Sequence, residues 1–127
     1  MDKKAMYNIT YGLYLLTAKE EKDNGCIINT AVQIANDPTR ISISVLKDNL
    51  TCDMILRTGV FNISAISEKA PFSLFQHFGL QSGRDVDKFK ELGLTKQAAK
   101  FVRKNSCVCC HNCLYCYTVV AMMSILY

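Results

Sequence analysis

Apolar and polar residues alternate with a period of two along several short segments, the spacing of β-strands with one buried face. The alternation is clearest from Cys26 to Ile34 and from Ile41 to Val45, and it returns from Val60 to Ile66. An apolar run from Tyr11 to Ala18 precedes them, and the charged residues from Lys19 to Gly25 then indicate a loop. The pattern therefore predicts four strands before residue 67.

Short helices are predicted between and after these strands. Asn49 or Thr51 suits the N-terminal cap of a first helix, and Gly59 suits its C-terminal stop. Pro71 favours the start of a second helix, whose inward face is predicted to carry three phenylalanines, Phe72, Phe75 and Phe78. A further helix is predicted from Thr95 to about Lys104. Short strands with small helices in their connections predict a mainly β protein, a mostly antiparallel barrel or sandwich.

Length and charge narrow the class of protein. The 127 residues are enough for one domain with a single core. Lys and Arg number 15 against 11 Asp and Glu, giving a net charge of +4, but the basic residues stand beside acidic ones, as in the run from Lys19 to Asp23. Without a basic stripe, nucleic acid is not expected as a partner.

Cysteine usage separates the chain into two parts. The N-terminal residues show no apolar leader, so we expect a cytoplasmic protein with no membrane attachment. The cysteines number seven, an odd count that disfavours a closed disulfide framework. Five of them lie within ten residues, and no charged residue follows Lys104: Cys107, Cys109, Cys110, Cys113 and Cys116. We therefore expect a domain over residues 1–104 and an uncharged, Cys-rich tail over 105–127.

Familiar catalytic motifs are missing from the sequence. It contains no glycine-rich dinucleotide or phosphate loop, no zincin motif and no hydrolase elbow. His77 and His111 are the two imidazoles, and neither stands in a recognisable catalytic arrangement. Small polar residues at predicted strand ends, together with Lys47 and Arg84, suit a phosphate and a polar heterocycle, although each is equally suited to an ordinary turn or cap. No catalytic residue is assigned.

Several segments match one known pattern in order and identity. They are Tyr11–Ala18, Asp23–Ala31, Ile41–Val45, Lys47–Thr51, Gly59–Ser64, Phe78–Phe89 and Leu92–Thr95. Together they cover about residues 7 to 102, and they resemble the flavin reductase-like, FMN-binding split-barrel family, especially the domains fused to rubredoxin or found in flavoredoxin-like proteins. The resemblance implies a six-stranded split barrel and a homodimer that holds FMN near its interface. It also implies an NAD(P)H-dependent flavin reductase, an oxidoreductase that takes electrons from NAD(P)H or from a protein donor.

The resemblance implies a set of cofactor-binding residues as well. One group would line the flavin ring: Asn24, Gly25, Cys26, Ile27, Ile28, Asn29 and Thr30. A second group would serve the phosphate and the ribityl chain: Lys47, Asn49 and Thr51. A third group would close the site, from the same chain or from the partner subunit: Ser82, Gly83 and Arg84. A Lys or Arg with nearby hydroxyls holds a phosphate dianion, while the ring needs an apolar wall and a few donors.

The tail departs from the family pattern. Family members continue through further strands that close the barrel, so an incomplete barrel is expected here. Four interpretations stay open: a degenerate strand with five residues on one side (Leu114, Cys116, Thr118, Val120 and Met122), an out-of-frame or truncated coding sequence, a zinc or iron–sulfur site, and a short membrane anchor. A metal is not expected, because a zinc site usually draws its second cysteine pair from a separate turn. The alternative function is a non-catalytic FMN-binding or interaction domain with an incomplete barrel.

Overall fold

The computed structural model describes residues 12–36, 39–91 and 113–119. Its strands are β1 (Tyr14–Lys19), β2 (Asp23–Ile28), β3 (Ala31–Asn36), β4 (Thr39–Ile43), β5 (Phe61–Ile66) and β6 (Cys113–Val119). Its helices are α1 (Leu50–Thr58), α2 (Phe72–Gly79) and α3 (Lys88–Glu91). The predicted helix from Thr95 to Lys104 and the side chains of the Cys107 to Cys116 cluster lie outside the described residues.

The strands form two antiparallel sheets. The larger sheet has the order β2-β1-β5-β6, and β3 pairs with β4 in a separate two-stranded sheet. In the larger sheet Leu16 lies opposite Cys26 on one side and opposite Ile63 on the other. β6 pairs with β5, so the tail contributes a strand at this sheet's edge among the described residues. The prediction of a mainly β, mostly antiparallel protein with short helices is confirmed.

The predicted single strand from Cys26 to Ile34 is wrong, because the chain changes sheets within it. β2 ends at Ile28 on the larger sheet, and β3 starts at Ala31 on the smaller one. At the bend, the Thr30 hydroxyl donates to Asn29 Oδ1 at 3.1 Å, and the Thr30 carbonyl accepts from the Ser44 amide at 3.3 Å. β2 also begins at Asp23, inside the predicted loop, so the turn before it is shorter than expected.

Helix α1 has the ends that the sequence predicts. The Asn49 side chain accepts from the Thr51 amide at 2.9 Å and caps the N-terminus. Gly59 ends the helix with φ of 71°, in the left-handed region, and its amide donates to the Ile55 carbonyl at 2.7 Å. Its inward residues, Cys52, Met54 and Ile55, are buried against the sheet. This packing places the Asn49 cap beside β2 and fixes one end of the candidate site.

Helix α2 begins after Pro71 as predicted, but its buried face differs from the predicted one. Phe78 is buried, whereas Phe72 is 72% exposed. Leu74 takes the second inward position, because residues four apart share a helix face. These two side chains pack with Leu15 and Phe89 in a cluster of their own.

The two faces of β1 serve two separate cores. Leu15 belongs to the α2 cluster, whereas Leu16 belongs to the larger cluster with Cys26, Ile43 and Ile63. Since both faces of the strand are covered, Leu15 to Ala18 are all buried, which explains the continuous apolar run in the sequence. Among the described residues, none of the helices has the length and apolar character needed to cross a membrane.

Candidate functional site

Two adjoining cavities open where β2, the residues after β4, and the loop after α2 meet. The first, here the loop cavity, is about 490 Å³ and is lined by Leu46, Lys47, Asp48, Asn49, Leu50, Gln81, Ser82 and Gly83. The second, here the strand cavity, is about 480 Å³ and is lined by Leu13, Cys26, Ile27, Ile28, Asn29, Ser44, Val45, Leu46 and Asn49. Leu46 and Asn49 line both, so the two cavities meet at these residues.

The strand cavity offers an apolar wall with a few polar groups. β2 supplies Cys26, Ile27 and Ile28, and the polar side chains come from Asn29, Ser44 and Asn49. Burial raises the pKa of the Cys26 thiol to about 11, against a smaller lowering by the Thr51 side chain. Cys26 is therefore a neutral thiol near pH 7 and not a ready nucleophile. Apolar walls with a small number of placed polar groups are typical of sites for flat organic rings.

The loop cavity differs from the strand cavity because charged side chains line it. Lys47 and Asp48 bring one positive and one negative side chain, and Asn49 and Ser82 bring an amide and a hydroxyl. The Ser82 hydroxyl accepts from the Arg84 amide at 3.2 Å, which orders the loop after α2. An ammonium with neighbouring hydroxyl and amide groups is suited to a phosphate.

Two of the residues predicted to contact a cofactor are buried and bonded to each other instead. Asn24 Nδ2 donates to Thr51 Oγ1 at 3.0 Å, and both side chains are fully enclosed. Gly83 lies so close that a Cβ there would overlap the Asn24 amide group. Only glycine fits at this position, and the contact brings the loop against β2. The hydrogen bond between Asn24 and Thr51 therefore connects β2 to α1 beside the two cavities. Neither side chain lines a cavity.

Gly25, Thr30 and Arg84 also lie outside the cavity linings. The Gly25 carbonyl accepts from Lys88 Nζ at 2.9 Å, and Thr30 bonds to Asn29 as described above.

The Arg84 guanidinium forms an ion pair with Asp53 of α1. The Gly83 carbonyl accepts from Lys22 Nζ at 3.3 Å in the same chain. The loop from Ser82 to Arg84 is thus held in place by contacts within its own chain.

The structure therefore brings eight of the thirteen predicted residues to the cavities: Cys26, Ile27, Ile28, Asn29, Lys47, Asn49, Ser82 and Gly83. It adds lining residues that the sequence did not single out as site residues, chiefly Leu13 and the segment from Ser44 to Leu46. That segment reads as the end of a half-buried strand in the sequence, but β4 ends at Ile43. The residues from Ser44 to Leu46 follow the last residue of the strand and line the strand cavity, while the Ser44 amide still donates to the Thr30 carbonyl.

The burial of Lys88 was not predicted from the sequence. Lys88 is 2% exposed, and its Nζ donates to the carbonyls of Gly25 and Phe78 at 2.9 and 3.0 Å. His77 Nε2 lies 2.6 Å from the Lys88 carbonyl oxygen. Lysine is almost never fully buried, so composition and periodicity give no reason to place it inside. The signal available was its position inside the segment Phe78–Phe89, which carries the family resemblance.

A family profile covers most of the chain. The family described as "Flavin reductase like domain" matches residues 6–118. Among curated proteins, the chain is 46% identical over 90 residues to the high molecular weight rubredoxin of Moorella thermoacetica, covering 70% of this chain and 39% of that protein. It is 31% identical over 90 residues to the ferric-chelate reductase (NAD(P)H) of Archaeoglobus fulgidus, covering 70% and 53%. The chain thus spans about half or less of these relatives.

The fold is shared with solved structures. An FMN-binding domain of a flavin reductases-like enzyme from Shewanella baltica superposes with a TM-score of 0.69 at 18% identity. The superposition covers 84% of this chain and 55% of that one. The predicted fold class, a split β-barrel with short helices in its connections, is confirmed by this likeness.

Proposed function

The chain belongs to the flavin reductase like domain family, and on that basis we propose that it binds FMN across the two cavities and passes electrons through it. The strand cavity takes the flavin ring, and the loop cavity takes the ribityl phosphate. Bound flavin supplies the hydride and electron chemistry, while the protein supplies position and electrostatics. The electrons come from NAD(P)H or from a protein donor.

The observation that carries this proposal is the junction of the cavities at Leu46 and Asn49. A cavity walled by β2, with no charged residue in its lining, continues there into a cavity that contains Lys47. FMN has the same division, since a flat ring is joined by a short polyol to a phosphate dianion. Each cavity is within the size range of small-molecule sites. The solved relative from Shewanella baltica, itself described as FMN-binding, supports the choice of flavin.

The charges of the loop cavity favour FMN over FAD. Its lining holds one Lys and one Asp, Lys47 and Asp48. This set suits a single phosphate better than a pyrophosphate, which needs more positive charge. Lys47 lines the loop cavity and Arg84 does not, so the proposal assigns the phosphate to Lys47.

The ring-side residues exclude water and hold the ring in place. Leu46 is 78% exposed at the junction of the cavities, and a bound ring would cover its apolar surface. The backbone from Cys26 to Asn29 borders the same cavity and offers amide and carbonyl groups to a polar ring edge. Because the Cys26 thiol is neutral, it acts here as part of the wall.

The names of two relatives support the proposed electron donors. The Archaeoglobus fulgidus protein is named for NAD(P)H and the Moorella thermoacetica protein for rubredoxin, so both a nicotinamide and a protein donor fit. Anaerobic NADH or NADPH should bleach the bound flavin if a nicotinamide serves. Bleaching by dithionite alone would favour a protein donor, and FMN that binds without being reduced by any biological donor would favour the non-catalytic alternative.

The cytoplasm is the proposed compartment, and a homodimer the proposed assembly. Cys26 and Cys52 are free thiols in the core, the state that a reducing compartment maintains. Nucleic acid and membranes are not part of the proposal, since the basic residues are interleaved with acids.

Replacing Lys47 tests the placement of the phosphate. We expect Lys47→Ala to weaken FMN binding by about tenfold or more, since a charge-assisted contact contributes about 1.5–3 kcal/mol, and to leave riboflavin binding unchanged. Arg84→Ala is the matched control, and it should change neither affinity by more than about threefold because Arg84 is paired with Asp53. Equilibrium dialysis with both flavins measures these affinities.

Two results would contradict the proposal. Equal losses of FMN and riboflavin in Lys47→Ala would show that Lys47 does not face the phosphate. Wild-type protein that retains neither flavin at micromolar concentration would overturn the function itself.

A further inference from the structure

Lys88 is a buried cation that contacts β2 and α2. It is the first residue of α3, its side chain is almost fully enclosed, and its Nζ donates to two backbone carbonyls, those of Gly25 in β2 and Phe78 in α2. These bonds satisfy two of the three N–H donors of an ammonium. Burying a lysine is costly, so a buried lysine with placed acceptors needs a reason.

The position of this charge relates it to the strand cavity. Gly25 precedes Cys26, the first of the β2 residues that line that cavity. Lys88 Nζ is bonded to the Gly25 carbonyl, and its charge acts on the Cys26 thiol, whose pKa it lowers against the larger effect of burial. The ammonium is therefore bonded to the β2 backbone at the residue just before the cavity lining. Because it is buried, its electric field is weakly screened there.

Reduction changes the charge of a flavin ring. A hydride from a nicotinamide, or two electrons and one proton from another reductant such as dithionite, leaves the ring with one more negative charge than in the oxidised form. A positive charge near the ring stabilises the reduced form and has little effect on the oxidised form. Lys88 touches no cavity surface, so any such effect acts through space and through the Gly25 carbonyl.

We propose that Lys88 is a positioning residue whose buried ammonium makes the strand cavity bind reduced FMN more tightly than it binds oxidised FMN, which raises the reduction potential of the flavin. This inference rests on the proposed function. It goes beyond that function by assigning control of the potential to a residue outside the cavity lining.

The test compares Lys88→Met with Lys90→Met in the FMN-loaded protein. Both lysines belong to α3, but Lys90 is exposed, so the second variant makes the same chemical change without removing a buried charge. For Lys88→Met we expect oxidised FMN affinity within about threefold of wild type and reduced FMN affinity at least tenfold weaker. A tenfold change corresponds to a potential lower by about 30 mV for a two-electron couple. Lys90→Met should match wild type, and Lys88→Arg should restore most of the difference.

The outcomes separate this inference from the proposed function. Equal weakening of both redox forms in Lys88→Met would show that Lys88 only connects β2 to α2, and it would overturn the inference. Affinities for both forms that match wild type would overturn it too. Wild-type protein that binds no FMN in either form would overturn the proposed function and the inference together.

A second measurement needs no variant, in case Lys88→Met does not fold. In the wild-type holoprotein the potential should fall by about 30 mV per pH unit, the value for two electrons and one proton. That slope should persist to a lower pH than it does for free FMN, because the ammonium keeps the reduced ring anionic. A change of slope at the pH found for free FMN, or above it, would contradict the inference.

Discussion

The buried Cys26 thiol makes stability depend on pH in the alkaline range. Burial raises its pKa from an ordinary value of 9.0 to about 11. Between these values the unfolded chain loses the thiol proton while the folded chain keeps it. The stabilising contribution is therefore complete below about pH 9 and is lost as the pH rises toward 11, by about 2–3 kcal/mol in total.

Comparison with Cys26→Ala isolates this effect. The alanine variant has no thiol to titrate, so its free energy of unfolding should decline less than that of wild type between pH 9 and pH 11. Urea unfolding of both proteins at matched pH values measures the difference, and subtraction removes the contribution of other groups that titrate in this range. Parallel curves for the two proteins would show that the thiol is not held neutral in the folded state.

At the residue scale, the family segments contain most of the residues that line the two cavities, but the sequence did not show which of their side chains face the cavities. Lys47 and Ser82, two of the residues that the resemblance implies for the cofactor, line the loop cavity. Asn24 and Thr51 come from the same segments but are bonded to each other in the interior. Whether a polar residue in a binding segment faces a ligand or fastens the wall depends on its tertiary partner, and that partner is distant in sequence.

The N-terminal cap of α1, Asn49, lies at the cavity junction, and Gly59 ends the helix at its other end. Its φ of 71° is costly for a residue with a Cβ, and no atom lies within 4 Å of where that Cβ would be. Gly59→Ala should therefore cost about 1 kcal/mol of stability through the backbone alone.

Gly79→Ala is the matched control for this prediction. Gly79 is the last residue of α2, and a Cβ there would meet Ile27 at 3.6 Å, an ordinary contact. The free energy of unfolding of Gly79→Ala should equal that of wild type or exceed it by up to about 1 kcal/mol. Thermal or urea unfolding of both variants distinguishes the two sites, and equal effects would rule out the backbone explanation.

At the element scale, local signals predicted α1 well and the β2–β3 region poorly. Asn49 and Gly59 determine the ends of α1 through their own hydrogen bonds and backbone angles, and both are visible in sequence. The change of sheet at Asn29 does not interrupt the alternation of the sequence, although it moves Ala31 onto the larger core and leaves Val32 55% exposed. Only the partners of each half, β1 and β4, distinguish the two strands.

For the whole molecule, the expected assembly is a homodimer. Leu13 lines the strand cavity and is 47% exposed, and exposed apolar surface beside a site favours a covering partner. Light scattering at tens of micromolar, under reducing conditions, should give twice the 14.3 kDa mass of the chain. Reducing agent serves as the control, because disulfides between the clustered cysteines would otherwise cross-link chains. A flavin-loaded monomer would contradict this prediction.

The division into residues 1–104 and a tail remains a prediction. The backbone of Cys113–Val119 pairs with β5, so part of the tail belongs to the larger sheet. The sequence alternation allowed a strand there but did not identify its neighbour, since pairing across some fifty residues leaves no local mark.

The strand order of the larger sheet also determines when the sheet is completed during synthesis. β1 pairs first with β2, its neighbour in sequence, but its other edge waits for β5, where Leu15 lies opposite Ser64. β5 waits in turn for β6, where Ser64 lies opposite Cys116. Until those residues leave the ribosome, each nascent chain carries an unpaired apolar strand edge that invites pairing with another chain. We therefore expect the yield of folded protein to depend on translation speed and chaperone supply as well as on final stability.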